Sequence, residues 1–257
     1  MSAPPDAAPT QAARVKPEPP PAFQVSGRHA KRLPNWGLKL TMALTGTIGA
    51  LFLAIHLFGN LKVYSGAEKF NAYAYWLRHV GEPLLPANSV VWVLRIVLAL
   101  CIVAHVSGAT ILWLRARKAR GRFAAKRSHR VRSWSATLMP LTGVFILAFV
   151  LFHLADLTLG IKPLAPETFQ EHTATAAFAY QNLIASFSRP AAAISYVGAM
   201  VLIAIHVSHG LYTVVSDLGA VGKRLRAVLI AIAGLTAVFI LLGNASIPVA
   251  VLLGVLS

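Results

Sequence analysis

Four histidines define the chemistry open to this sequence. His56, His105, His153 and His206 each lie in a long apolar stretch, one to a stretch. Imidazole is a metal ligand, and a polar ring inside an apolar helix usually faces a bundle interior or a functional site. The four are also in register. LTGTIGALFLAIHL, Leu44 to Leu57, returns as LTGVFILAFVLFHL, Leu141 to Leu154. Each copy has Thr-Gly near its start and one histidine ten residues after that glycine: Gly46 then His56, Gly143 then His153. Ala104-His105-Val106-Ser107 is echoed by Ile205-His206-Val207-Ser208. The copies are offset by 97 residues in the first pair and 101 in the second, so the chain reads as two related helix pairs. One such histidine is ordinarily a helix-to-helix hydrogen bond. Four, one per helix and repeated in register, point to a shared purpose.

The elements that must hold these rings are membrane helices. The 257 residues are 56% hydrophobic and only 12% charged, with a mean hydropathy of +0.64; a soluble domain is about a quarter charged. Five apolar segments, approximately 36–59, 90–114, 135–158, 191–215 and 227–245, each reach the roughly 20 residues that cross a bilayer. The expected fold is all-α, an integral membrane bundle of five transmembrane helices over 35–257. Residues 1–34 hold eight of the fifteen prolines, lack an apolar stretch of the signal-peptide kind, and are expected to be a disordered tail. The single cysteine, Cys101, allows no internal disulfide.

Net charge is +16, yet nucleic acid is not the expected partner, because the basic residues lie between apolar spans, where topology signals sit. The tail and its junction carry six Lys and Arg, the 115–132 loop nine, and the loop between spans four and five three; the opposite loops carry five. This places the amino terminus in the cytoplasm and the carboxyl terminus outside. The basic loop also suits lipid headgroups or a docked partner. In the outer loop Asn60 to Ser89, Phe70, Tyr73, Tyr75, Trp76 and Leu77 predict an interfacial helix. The outer loop Gly160 to Pro190 is expected to hold a short helix, Thr168 to Phe187. Residues 247–257 either extend span five or fold back along the interface.

Depth pairs the histidines. At about 1.5 Å rise per residue, His56 lies roughly 12 Å and His153 roughly 9 Å to the outer side of their span centres, and His105 and His206 about 5 Å to the inner side. Two layers roughly 15 Å apart result, His56 with His153 and His105 with His206. Two imidazoles facing across a bundle are the axial ligands of a b-type haem, so two haem b cofactors are expected inside the bundle. Zinc would take more ligands at one height. No acidic residue lies within a span except Asp156 at an outer edge, which argues against a proton-coupled carrier.

Gly46 and Gly143 fall at the height of the other layer, where they let a macrocycle approach or serve ordinary small-residue packing. Arg95, near the outer start of span two, is expected to pair with a haem propionate or to snorkel to the interface. His209, one turn inward of His206, is the rival ligand; the shared HVS register favours His206. His29, His79, His129 and His172 lie in the tail or loops. A quinone needs an apolar slot with one or two hydrogen-bonding groups, for which Glu68, Arg78 and His79 are the outer-side candidates.

At these residues the chain resembles the di-haem cytochrome b subunit of succinate dehydrogenase and fumarate reductase, the single-subunit five-helix b558 type. The resemblance is carried by His56-Leu57-Phe58-Gly59-Asn60-Leu61, by Gly66 with Phe70-Asn71-Ala72-Tyr73-Ala74, by Thr142-Gly143 to His153, and by HVSHGLYTVVSDLG from His206 to Gly219. It covers about 36–245. It implies that all four histidines are axial ligands, paired as depth pairs them, in a bacterial cytoplasmic membrane. It further implies a flavoprotein and an iron–sulfur subunit docked on the cytoplasmic face. Electrons from succinate would then pass through the haems to a quinone, commonly menaquinone. Succinate chemistry would lie in another subunit. Some relatives carry a glutamate two residues before the fourth ligand, linked to proton movement; Ala204 stands there. Two other readings stay open: a di-haem cytochrome b serving a hydrogenase or formate dehydrogenase, and a haem-free transporter or anchor.

Overall fold

The residues described by the computed structural model, 33–120, 131–217, 219 and 222–257, form seven helices. In chain order they are α1 (Asn35–Asn60), α2 (Ala67–His79), α3 (Ser89–Arg120), α4 (Val131–Leu154), α5 (Ala179–Phe187), α6 (Pro190–Asp217) and α7 (Lys223–Leu252). A 3-10 turn, Leu61–Ser65, continues α1, and a wide π turn, Ala155–Leu159, continues α4. No strand occurs among the described residues. Helices α1, α3, α4, α6 and α7 are long and apolar enough to cross a membrane, and they coincide with the five expected spans. Residues 1–32 of the expected tail and 121–130 of the basic loop, with His29 and His129, lie outside the described residues.

Small side chains let the helices approach, as is usual where lipid removes any hydrophobic drive between them. On α1 the buried positions Ala43, Ala50 and Leu57 recur every seven residues, while Leu44, Leu51, Ile55 and Phe58 are exposed on the outward faces. Helix α6 buries Ala192, Ala193, Tyr196, Ala199, Met200 and Ile203. Helix α7 buries Ala233, Ala237 and Ile240. Gly243 on α7 admits Leu57, whose Cδ1 lies 2.5 Å from where a Cβ would stand.

Contacts run round the bundle in the order α3, α1, α6, α4, and the α3–α4 edge is the thinnest; α7 lies outside, along α6 and α1. The diagonals are therefore α1 to α4 and α3 to α6. A cavity of about 200 Å³ opens at the thin edge, lined by Ile102, Val103, Val106 and Ser107 of α3 and Leu147 of α4.

The upper end of the bundle, taken as the end bearing α2 and α5, is closed by a cap. Val63, Phe70, Leu183, Phe187, Tyr196, Ile247, Val251 and Leu256 form one buried cluster there. Polar ties cross it: Asn71 Nδ2 donates to Gln181 Oε1 at 2.9 Å, the Tyr180 N–H donates to Asn71 Oδ1 at 2.9 Å, and Asn60 Nδ2 donates to Asn244 Oδ1 at 2.8 Å. At the lower end Arg115 donates to the Leu33 carbonyl and to Asn35 Oδ1, tying α3 to the start of α1.

Two loop expectations change. The helix expected over Thr168 to Phe187 forms only from Ala179. Upstream, side chains take the backbone groups a helix would use: Thr173 Oγ1 accepts the N–H of Thr175 and Ala176, and Asn182 both accepts from the Gln170 N–H and donates to its carbonyl. The 247–257 segment resolves toward extension, since α7 runs through Pro248 to Leu252 and the final residues turn over the cap. The helix expected between Asn60 and Ser89 is α2.

Candidate functional site

The four histidines meet two by two across the diagonals. His56 of α1 and His153 of α4 have ring centroids 6.0 Å apart with planes at 81°. His105 of α3 and His206 of α6 have centroids 6.4 Å apart at 58°. All four are half-buried. The His56–His153 pair is the upper one. The height difference follows from Gly46: its built Cβ lies 3.2 Å from His105 Cε1, and His56 stands ten residues further along the same helix, about 15 Å. Gly143 faces His206 Cε1 in the same way, at 3.7 Å. The glycines thus make room for the imidazoles of the lower pair.

Hydrogen bonds fix the tautomers. Thr45 donates its single hydroxyl proton to the Thr41 carbonyl at 2.7 Å, and Thr142 donates to the carbonyls of Leu138 and Met139 at 3.1 Å. Each threonine oxygen also lies beside a histidine Nδ1: His105 at 3.1 Å from Thr45 and His206 at 3.0 Å from Thr142. With its proton committed, each hydroxyl can only accept, so Nδ1 carries the hydrogen. In the upper pair Tyr196 donates to Asp156 Oδ2 at 3.0 Å, and its oxygen lies 3.3 Å from His153 Nδ1, with the same consequence. Three of the four rings therefore keep a bare Nε2, the form a metal ligand requires, with Nδ1 held by a second partner as is usual for ligating histidines.

Aromatic rings steady the upper pair. Phe52 stacks on His56 at 5.3 Å and Phe149 on His153 at 6.0 Å, each one turn earlier on the same helix. Thr45 and Thr142, and Phe52 and Phe149, stand in the same 97-residue register as the histidines. That register was the signal that would have found them.

Chemically, the arrangement offers two facing pairs of imidazoles. Two metal–imidazole bonds of about 2 Å, plus about 1 Å from each nitrogen to its ring centre, span about 6 Å; the observed separations match. Among the described residues no three His, Cys, Asp or Glu gather as a metal cluster, so each candidate centre offers two protein donors.

The other expected residues fall as follows. His209 is set against Tyr212, ring centroids 6.5 Å apart, and it is His206 that faces His105. Arg95 lies over the Trp92 ring at 5.1 Å. Together with Arg78 it opposes protonation of His172, whose pKa is lowered first by burial and then by these two charges. Arg78 is itself lowered, by burial and then by Arg95. Glu68 lies in the first turn of α2 and His79 closes it, about 16 Å apart along the helix, and His79 Nδ1 sits 2.8 Å from the Tyr75 carbonyl. Arg78 shares the last turn of α2 with His79.

One cluster escaped the sequence reading. Asp156, placed by the π turn, is fully buried. It accepts from Ser186 at 2.5 Å, from Arg189 at 2.6 Å and from Tyr196. The chain matches no family model, no curated protein and no solved structure.

Proposed function

We propose that this chain is a di-haem cytochrome b, the membrane-anchor subunit of a succinate:quinone oxidoreductase, with its upper end on the outer side of a bacterial cytoplasmic membrane. The observation that supports the haem reading is the pairing of imidazoles across both diagonals at a spacing that would admit a metal between them, with Nδ1 of three of the four rings beside a hydroxyl oxygen. His56 and His153 would hold the outer haem, and His105 and His206 the inner one. A haem held by these histidines would supply one-electron transfer, and with both histidines ligating it would offer no site for oxygen or substrate. The protein's own part is to hold the rings and keep the centre dry. The threonines and Tyr196 orient Nε2, Gly46 and Gly143 clear space beside the inner pair, and the cap excludes water above the outer pair. Layers about 15 Å apart suit an electron path from one membrane face toward the other.

The assignment to succinate oxidation rests on the sequence resemblance. It gives the flavoprotein and iron–sulfur partners on the cytoplasmic face and a quinone acceptor. Purification of the tagged chain from its native membrane in mild detergent tests it. The expected result is copurification of a flavoprotein and an iron–sulfur protein, with haem reduced on addition of succinate. A hydrogenase or formate dehydrogenase partner, with haem that succinate leaves oxidised, would overturn the succinate assignment and retain the cytochrome.

A further inference from the structure

The two ligands of the upper pair are unlike. His153 stands at the end of a hydrogen-bonded relay that starts at a buried charge. Arg189, whose side chain is one-third exposed, donates to Asp156 Oδ1 and to the Leu164 carbonyl. Asp156 Oδ2 receives the protons of Ser186 and Tyr196. Tyr196 in turn receives the Nδ1–H of His153. The 97-residue offset puts Gly59 where the second repeat has Asp156, and the 101-residue offset puts Arg95 where it has Tyr196. The relay therefore belongs to one repeat only and is not a requirement of the repeated fold. The lower pair is held by neutral threonines.

A hydrogen bond from a ligand's Nδ1–H toward an anion pushes electron density onto Nε2 and favours the oxidised metal. We infer that Asp156, acting through Tyr196, is a positioning residue that sets the reduction potential of the centre held by His56 and His153, and that Arg189 opposes it. This rests on the haem reading above. In a low-dielectric interior a fixed charge about two hydrogen bonds from a ligand is felt strongly. Asp156→Asn keeps the size and leaves Arg189 uncompensated. Tyr196→Phe keeps the ring, which packs on Phe149, Phe152 and Phe187.

The test is a redox titration of the purified haem-loaded complex, following the spectral component lost in His153→Ala. Asp156→Asn and Tyr196→Phe should raise its midpoint. At the wild-type midpoint the ratio of reduced to oxidised centre should rise about tenfold in Asp156→Asn, equal to 59 mV for a one-electron couple. Arg189→Gln should lower it, and the other component should stay within a fraction of that shift. Opposite signs separate a charge effect from loosened packing, which would move the midpoint the same way in both variants. Equal signs in Asp156→Asn and Arg189→Gln, or no shift in Asp156→Asn and Tyr196→Phe, overturn the inference and leave the cytochrome standing. A wild-type protein without that component overturns both.

Discussion

If the proposed haem reading holds, enlarging Gly46 should empty the lower site, although Gly46 shares its helix with His56 of the upper pair. A Cβ at Gly46 meets His105 Cε1 at 3.2 Å and Nδ1 at 3.6 Å, whereas one at Gly143 meets His206 Cε1 at 3.7 Å. Alanine at Gly46 asks His105 for a few tenths of an ångström, and alanine at Gly143 asks nothing. Both gain about 1 kcal/mol of helix propensity, so helix loss cannot explain any defect. Valine extends about 1.5 Å beyond Cβ. It must push the imidazole by about 1 Å, a large fraction of a metal–nitrogen bond of about 2 Å. Overpacking of this kind costs about 1–3 kcal/mol, equivalent to about 5- to 150-fold weaker retention of the lower haem. The assay is haem content and the reduced-minus-oxidised spectrum of each purified variant. The expected order of lower-haem loss is Gly46→Val above Gly46→Ala, with Gly143→Ala like wild type and the upper component intact throughout. Loss of the upper component in Gly46→Val, or equal loss in Gly46→Ala and Gly143→Ala, would refute the reasoning.

Alanine at His56 or His153 should remove only the upper spectral component, and alanine at His105 or His206 only the lower. If His56→Ala and His105→Ala abolished the same component, the pairing would be wrong. Gly160, which ends the π turn at φ +64° with the Phe169 ring where a Cβ would stand, should not accept a side chain. Gly160→Ala should cost at least about 1–3 kcal/mol from backbone strain alone, read as a lower Tm in detergent, and an unchanged Tm would contradict it. Gly243→Ala should be destabilising through Leu57, and Leu57→Ala should relieve it, with a coupling of about 0.5–3 kcal/mol in a double-mutant cycle; strictly additive Tm changes would show that the contact does not matter.

The spans and the facing of the histidines were legible because both rest on simple signals. Apolar length marks a membrane helix, and one constant offset relates residues of equal height in a repeat. The supporting residues Thr45, Thr142, Phe52 and Phe149 lay in that same register, but a polar or aromatic residue on an apolar helix has many uses, and only the geometry gives each its partner. Asp156 reads as an edge residue because it falls two residues inside the end of the 135–158 span. The π turn changes the phase there, and its partners Ser186, Arg189 and Tyr196 come from α5, α6 and the turn joining them, with no repeat to flag them. The 168–178 stretch misled because its composition suits a helix, while Thr173 and Asn182 offer the backbone better local bonds. Where α7 stops was also open, since Pro248 can end a helix or sit within one once neighbours cover the gap.

The most direct test of the central claim is the absorption spectrum of the purified chain, oxidised and then reduced, with haem quantified per polypeptide. Two haem b per chain, with a reduced α band that splits into two components on redox titration, is the predicted result. Pure, folded protein with no α band, or with a single haem that survives both His56→Ala and His105→Ala, would contradict it.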